Sequence, residues 1–414
     1  MIILSHPTAN QFVRYATSGF VNAQMLQSFY TSLACFENDF LYKIGNNYKF
    51  SEFRKRLFDN NLKPYTYTNP TYEMIRQIAM KFGFKDLTKH EFGKFSVDAI
   101  YANHDKWVSE KISQQILLGA KAVYAYEDAA LKSFSIANQN GLTNFYDLSI
   151  GYWRMGIDIL EKEKERQPLY ANTLTGLLNS TQKLARKDEE LELANHVIVA
   201  STFTKDSLSF YPNKLNNIEV IPYGFPAVNN NTISTKCCNK PLKILYVGGL
   251  TQRKGIAEVF DTASLFGKHV TLTVIGNKTS NECEELDKNL QKHTWIPSLP
   301  HHEILNQMQQ HDVLLFPSLF EGFGMVISEA MSQGTPVITT YNTAGKDFIN
   351  NGINGWLVEP GNLNAIAQII ENIIDSPEQL EQIKLNAKAT AMERPWSKYA
   401  FEIAEFVKSK IETC

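Results

Sequence analysis

Glu321 and Glu329 stand on either side of a glycine turn, Gly322-Phe323-Gly324, and seven residues separate them. The apolar run Asp312 to Phe316 predicts a buried strand before this turn. Met325 to Gln333 predicts a helix stopped by Gly334 and Pro336, and Pro336 to Thr340 a second strand. That is a βαβ unit with a polar loop at the carboxyl end of a strand, where open α/β sheets bind ligands beside a helix N-terminus. Glycine lets backbone amides approach phosphate, and a carboxylate accepts hydrogen bonds from sugar hydroxyls, so the expected ligand is a sugar nucleotide with Glu321 above it.

A second constellation follows the run Leu245-Tyr246-Val247: Gly248 and Gly249, then Arg253, Lys254 and Gly255. A strand, a glycine turn and two cations at the mouth of a helix suit a diphosphate, with Arg as a planar fork and Lys as a point charge. The spacing is neither GxGxxG nor GxxxxGK[ST], so nicotinamide binding and a nucleotide-hydrolysing loop match poorly. A capped helix start carrying two surface cations is the plainer alternative.

Other residues have two readings each. Glu127 and Asp128 follow the strand candidate Ala122 to Ala125 and are either a general base or caps of the next helix. His6 and Asn10 lie in the loop His6-Pro7-Thr8-Ala9-Asn10 and are acceptor-side candidates. His104 and Asp105 follow a strand expected at Ala99 to Ala102, and either line a cleft on the acceptor side or begin a helix. The segment 42–63 interleaves Lys43, Lys49, Arg54, Lys55, Arg56 and Lys63 with Phe50, Phe53 and Phe58. It reads either as a peripheral contact with anionic lipid or as a solvated helix whose aromatics join the core. Lys183 to Glu192 reads as an exposed helix face, and His301-His302 as a loop to which no metal is assigned.

These residues need a scaffold, and 414 residues of which 43% are hydrophobic suffice for two ordinary domains. Strand runs at Leu242 to Val247 and Val270 to Ile275 alternate with helical patterns and imply a parallel sheet. Ile2 to Ser5, Ala122 to Ala125, His196 to Ala200 and Ile218 to Pro222 repeat that logic in the first half. Two doubly wound domains are therefore expected: 1–225 for the acceptor and 241–395 for the donor, with an Asn-rich linker at 226–240. The amphipathic stretch 396–414 needs another surface to cover it. A formal charge of −2 gives no push toward nucleic acid. Five scattered cysteines argue against a zinc site or disulfide framework. With neither a signal-peptide pattern nor an apolar run of spanning length, a cytoplasmic setting is expected, with the inner membrane face as an alternative.

Together the two constellations resemble the retaining glycosyltransferases of family 4, whose GT-B fold sets two Rossmann-like domains face to face. The resemblance covers residues 195 to 365. It implies that Glu321 and Glu329 are the E-x7-E pair, the first contacting the donor sugar and the second the ribose hydroxyls. It also implies that Lys254 binds the donor diphosphate, helped by Arg253. Gly248, Gly249, Gly322, Phe323, Gly324 and Met325 then line the donor. The 396–414 helix crosses back to the first domain, and no cofactor or metal is required beyond the UDP- or GDP-sugar. The chain departs from the family in three places. Gly249 replaces the usual Arg, His6 to Asn10 replaces a Gly-rich loop, and Glu127 replaces a His near the donor sugar. The implied activity is transfer of a hexose-type sugar to a glycan or lipid-linked glycan, in capsule or lipopolysaccharide assembly. A GT-B epimerase, a phosphorylase-like enzyme and a noncatalytic nucleotide or glycan binder are the rival functions.

Overall fold

The structure, a computed structural model, describes residues 1–37, 39, 42, 56–215, 217–228, 241–280 and 282–412. Most of the segment 42–63, the linker beyond 228, and Cys237, Cys238 and Cys414 lie outside them. Among the described residues Cys35 and Cys283 are free and buried.

Seven strands form the first sheet: β1 (Ile2–Ser5), β2 (Leu26–Thr31), β3 (Thr66–Thr68), β4 (Ala122–Tyr126), β5 (Thr143–Leu148), β6 (His196–Val199) and β7 (Ile218–Val220). They pair in parallel in the order β3-β2-β1-β4-β5-β6-β7. Six form the second: β8 (Leu242–Val247), β9 (Val270–Ile275), β10 (Thr294–Ile296), β11 (Val313–Phe316), β12 (Val337–Thr340) and β13 (Trp356–Val358). Their order is β10-β9-β8-β11-β12-β13, again all parallel. Helices cover both faces, so the central strands are buried on both sides and read as apolar runs.

The strand order reverses at β1/β4 in one sheet and at β8/β11 in the other. A crevice opens beyond the strand ends at such a switch point. The loops that leave β1, β4, β8 and β11 carry most of the candidate residues; His104 and Asp105 stand on the helix Val97–Ser109 and Glu329 on the helix Met325–Ser332.

The helix Trp396–Glu412 packs on the helix Gln11–Asn22, and Trp396, Tyr399, Ile403 and Val407 share a core with Val13, Ala16 and Phe20. The contact is close because Gly19 has no side chain: a methyl group there would lie 2.1 Å from the carbonyl oxygen of Ala400. The turn Pro168–Thr173 belongs by sequence to the first half yet joins the core of the second sheet through Tyr170. The helix Trp153–Arg166 that precedes it bridges the halves: Trp153 packs on a core of the first sheet, while Glu163 and Arg166 bond Gln252 and Glu258.

Three sequence expectations change. Ala99 to Ala102 lies inside the helix Val97–Ser109, because a four-residue apolar run does not distinguish strand from buried helix. His301 and His302 open the helix His301–Gln310 instead of lying in a loop. The face Lys183 to Glu192 is a helix as expected, but Lys187 and Glu190 are buried in it. Among the described residues, no helix is long and apolar enough to cross a membrane.

Candidate functional site

β8 and β11 are neighbours, with Leu245 beside Leu314, so the loops leaving their carboxyl ends must meet. Gly248 (φ +153°) and Gly255 (φ +71°) adopt left-handed backbone conformations that L side chains rarely take. A methyl group at Gly255 would lie 2.3 Å from the Pro317 carbonyl oxygen, so this glycine lets the two loops touch. The short 3-10 turn Gln252–Lys254 is capped by Thr251, whose hydroxyl accepts from the Arg253 amide.

Arg253, Lys254 and Glu321 converge here. Glu321 Oε1 lies 3.0 Å from Arg253 Nη1 and 3.3 Å from Lys254 Nζ. Burial alone would raise the Glu321 carboxyl, but the two cations outweigh it and hold the group below the ordinary carboxylate range. Lys254 also sits over the Phe316 ring, 5.2 Å from its centroid. Arg253 donates to the Phe320 carbonyl as well, which ties the first cation loop to the glycine turn.

The turn itself rests on the first half of the chain. The Gly151 amide donates to the Glu321 carbonyl at 3.2 Å. Ser201 and Thr204, from the helix Thr202–Ser207 and its cap, donate to the Gly322 carbonyl, Thr204 at 3.1 Å. Phe323 is buried between Tyr223 (5.1 Å between ring centroids) and Phe348 (5.8 Å). Gly324 (φ +79°) then starts the helix Met325–Ser332, with Met325 packed at the edge of the first core. Gly249 is roomy: a methyl group there would meet only Thr279, at 3.5 Å.

Glu329 lies on that helix, and its Oε1 is 2.9 Å from His301 Nε2. The hydrogen bond to Glu329 raises the half-exposed His301 above its ordinary value. His301 is a site neighbour that sequence reasoning missed. Pro300 and Glu303 flank it in a helix-start pattern, and that pattern was the available signal.

Glu127 and Asp128 follow β4 but contact none of Arg253, Lys254 or Glu321. Glu127 pairs with Lys187 at 2.9 Å, and Asp128 pairs with Arg186 at 2.7 Å and Lys187 at 3.4 Å. Burial pushes Glu127 up despite Lys187. For Asp128 burial is outweighed by Lys187, Lys183 and Arg186, and its carboxyl falls. Buried Glu190 accepts from the amides of Asp128 (2.8 Å) and Ala130 (3.1 Å), fixing the turn in which Asp128 has φ +74°.

On the β1 side, His6 is buried, and its Nδ1 accepts from the amides of Thr8 (3.0 Å) and Ala9 (2.8 Å). Burial drives its pKa to about 3, so the ring is neutral with its proton on Nε2. Asn10 precedes the helix Gln11–Asn22 without a side-chain cap; its Oδ1 accepts from the Thr8 hydroxyl at 3.4 Å. His104 Nε2 is 3.0 Å from Ser5 Oγ, and burial lowers it to about 3 as well. Asp105 accepts from the amides of Lys132 (2.7 Å) and Ser133 (2.9 Å), so it caps the helix Leu131–Gln139 instead of lining a cleft. Among the described residues no group of three or more His, Cys, Asp or Glu side chains gathers as metal ligands.

The chain is similar in sequence and in fold to known proteins. The chain is 30% identical over 214 residues to the capsular polysaccharide biosynthesis glycosyltransferase CapM of Staphylococcus aureus, covering 48% of this chain and 54% of that protein. The chain spans about half the length of the curated relatives it matches. Among solved structures, sucrose-phosphate synthase from Thermosynechococcus elongatus superposes with a TM-score of 0.67 at 17% identity, over 100% of this chain and 99% of that one. Anabaena HepE in complex with UDP and glucose superposes with a TM-score of 0.62 at 16% identity, over 100% and 99%. The chain has the GT-B fold, and its residues 233–390 match the family model of the glycosyl transferases group 1.

Proposed function

We propose that the chain is a retaining glycosyltransferase of family 4, independent of metal. It moves a hexose-type sugar from a UDP- or GDP-sugar to a glycan or lipid-linked glycan in surface polysaccharide assembly. The observation that carries the reading is the convergence of Arg253 and Lys254 on Glu321 at the β8/β11 switch point. Without ligand, Glu321 is the anion that satisfies two partly buried cations. A diphosphate carries more charge and takes them over, and Glu321 turns to the sugar hydroxyls. Glu329 exchanges His301 for the ribose hydroxyls in the same way.

Breaking the bond between the sugar C1 and the phosphate oxygen develops positive charge on the ring and negative charge on the leaving diphosphate. Arg253, Lys254 and the amides of Gly322 to Met325 are set to stabilise the leaving group. The acceptor hydroxyl attacks C1 on the face that the phosphate leaves, and its proton passes to the departing phosphate oxygen. The pairing of Glu127 with Lys187 supports the phosphate, rather than Glu127, as the base. The CapM relative supports the surface-polysaccharide setting, and the HepE complex supports a nucleoside diphosphate donor.

A thermal-shift series with UDP, GDP, ADP, CMP and their sugars tests the reading. One diphosphate family should raise the melting temperature; ligand at a hundred times its Kd stabilises by about 2.7 kcal/mol. The shift should vanish in Lys254→Ala. No shift with any nucleotide sinks the proposal.

A further inference from the structure

We propose that residues 74–94 form a docking surface for an anionic lipid bilayer. On the helix Thr71–Lys81, Met74 and Ile78 are exposed one turn apart, and Phe82 continues their stripe beyond its end. From Met80 to Leu87 every residue is exposed. Phe82 is 68%, Phe84 57% and Phe92 80% exposed, with the first two rings 6.4 Å apart. Apolar side chains this open and this close together mark an interaction surface rather than ordinary surface scatter.

Charge selects the partner. Lys81, Lys85, Lys89 and Lys94 are exposed among these aromatics, and between 80 and 95 the one exposed acid is Asp86. Aromatic tips interleaved with lysines suit the headgroup boundary of an anionic membrane. A second copy of the chain would bring like charges together, and protein interfaces are depleted of lysine. The surface is fastened to the first half: Glu91 accepts from the Ser180 amide at 3.0 Å, and Phe95 donates to the Leu87 carbonyl at 2.8 Å. The helix that follows, Val97–Ser109, reaches the end of β1 through His104 and Ser5. The bilayer contact therefore belongs to the half that carries the His6 loop.

The test is co-sedimentation of the full chain with vesicles of phosphatidylglycerol and phosphatidylcholine in equal parts, against pure phosphatidylcholine. Binding should favour the anionic vesicles at least about fivefold. The Phe82→Ser/Phe84→Ser double variant should lose about tenfold or more, since two exposed rings no longer bury. Its melting temperature and its response to nucleotide should match the parent, because neither ring is in the core. Absence of vesicle binding, or binding unchanged in the double variant, overturns the proposal. So does a concentration-dependent dimer in ultracentrifugation that the double variant dissolves. The readout needs no sugar transfer, so this proposal and the donor reading fail separately.

Discussion

Arg253 and Lys254 share a single carboxylate oxygen, and that makes Glu321 a reporter of both cations. Its folded pKa lies below the reference 4.5, so the stabilisation from ionising it is present above about 4.5 and lost as pH falls through the depressed value. Arg253→Met removes one partner, raises the carboxyl, and should move the acid limb of a melting-temperature curve to higher pH. An unchanged limb would mean that Lys254 alone holds the carboxylate. His301 titrates the other way: its folded pKa is raised from 6.5, so its pairing energy is full below that value and fades as pH rises through the raised one. Glu329→Gln should bring the His301 ring back toward 6.5 in an NMR titration. Glu321, Glu329 and Lys254 stand out as candidates because glycine turns and carboxylates mark a strand end in one dimension. The His301–Glu329 and Glu127–Lys187 pairs do not, since partners 28 and more residues apart meet only once helices pack.

At the level of elements, strands that are apolar for most of their length, such as β1, β8 and β11, announce themselves. β5 does not, because Asn144 and Asp147 interrupt it. Both are buried and paired inside the fold, Asn144 to the Phe134 and Leu193 carbonyls and Asp147 to the Tyr124 hydroxyl at 2.7 Å. The charged run Lys183 to Glu192 misled for the same reason: buried ions that find partners look like a solvated face in sequence. The loop after β1 shows how the chain manages without a glycine-rich turn. Ala9 takes φ +48°, a region that is unfavourable for a residue with a Cβ, and His6 holds it there through two amides. His6→Ala leaves both amides without that acceptor and should cost about 1–3 kcal/mol in urea denaturation. Ala9→Gly placed in the same variant should restore part of it, because glycine needs no help at positive φ.

Across the whole molecule, the two halves are clasped at the glycine turn. A methyl group at Gly322 would lie 1.9 Å from the Ser149 carbonyl oxygen and 2.6 Å from Ile150 Cα. Gly322→Ala should therefore force the halves apart, seen as a larger radius of gyration in small-angle scattering and a lower melting temperature. In a second clasp Arg166 is bonded to Glu163 at 2.7 Å and reaches Glu258 of the other half, while Gln252 of that half donates to Glu163 at 2.7 Å. Gln252 precedes Arg253 directly, so the seam between halves and the cation loop are one structure. The division into two sheets was readable from alternating patterns; the placement of Tyr170 in the second core was not, because a short turn carries no pattern that says which sheet it covers.

The crossing helix carries a consequence for synthesis. The stripe Val13, Ala16 and Phe20 is covered by residues 396–412, which the ribosome makes only after all of the second sheet. At roughly 5–20 residues per second, the first half waits on the order of tens of seconds for its own lid. Throughout that interval a nearly finished domain displays an apolar groove to every other nascent chain nearby.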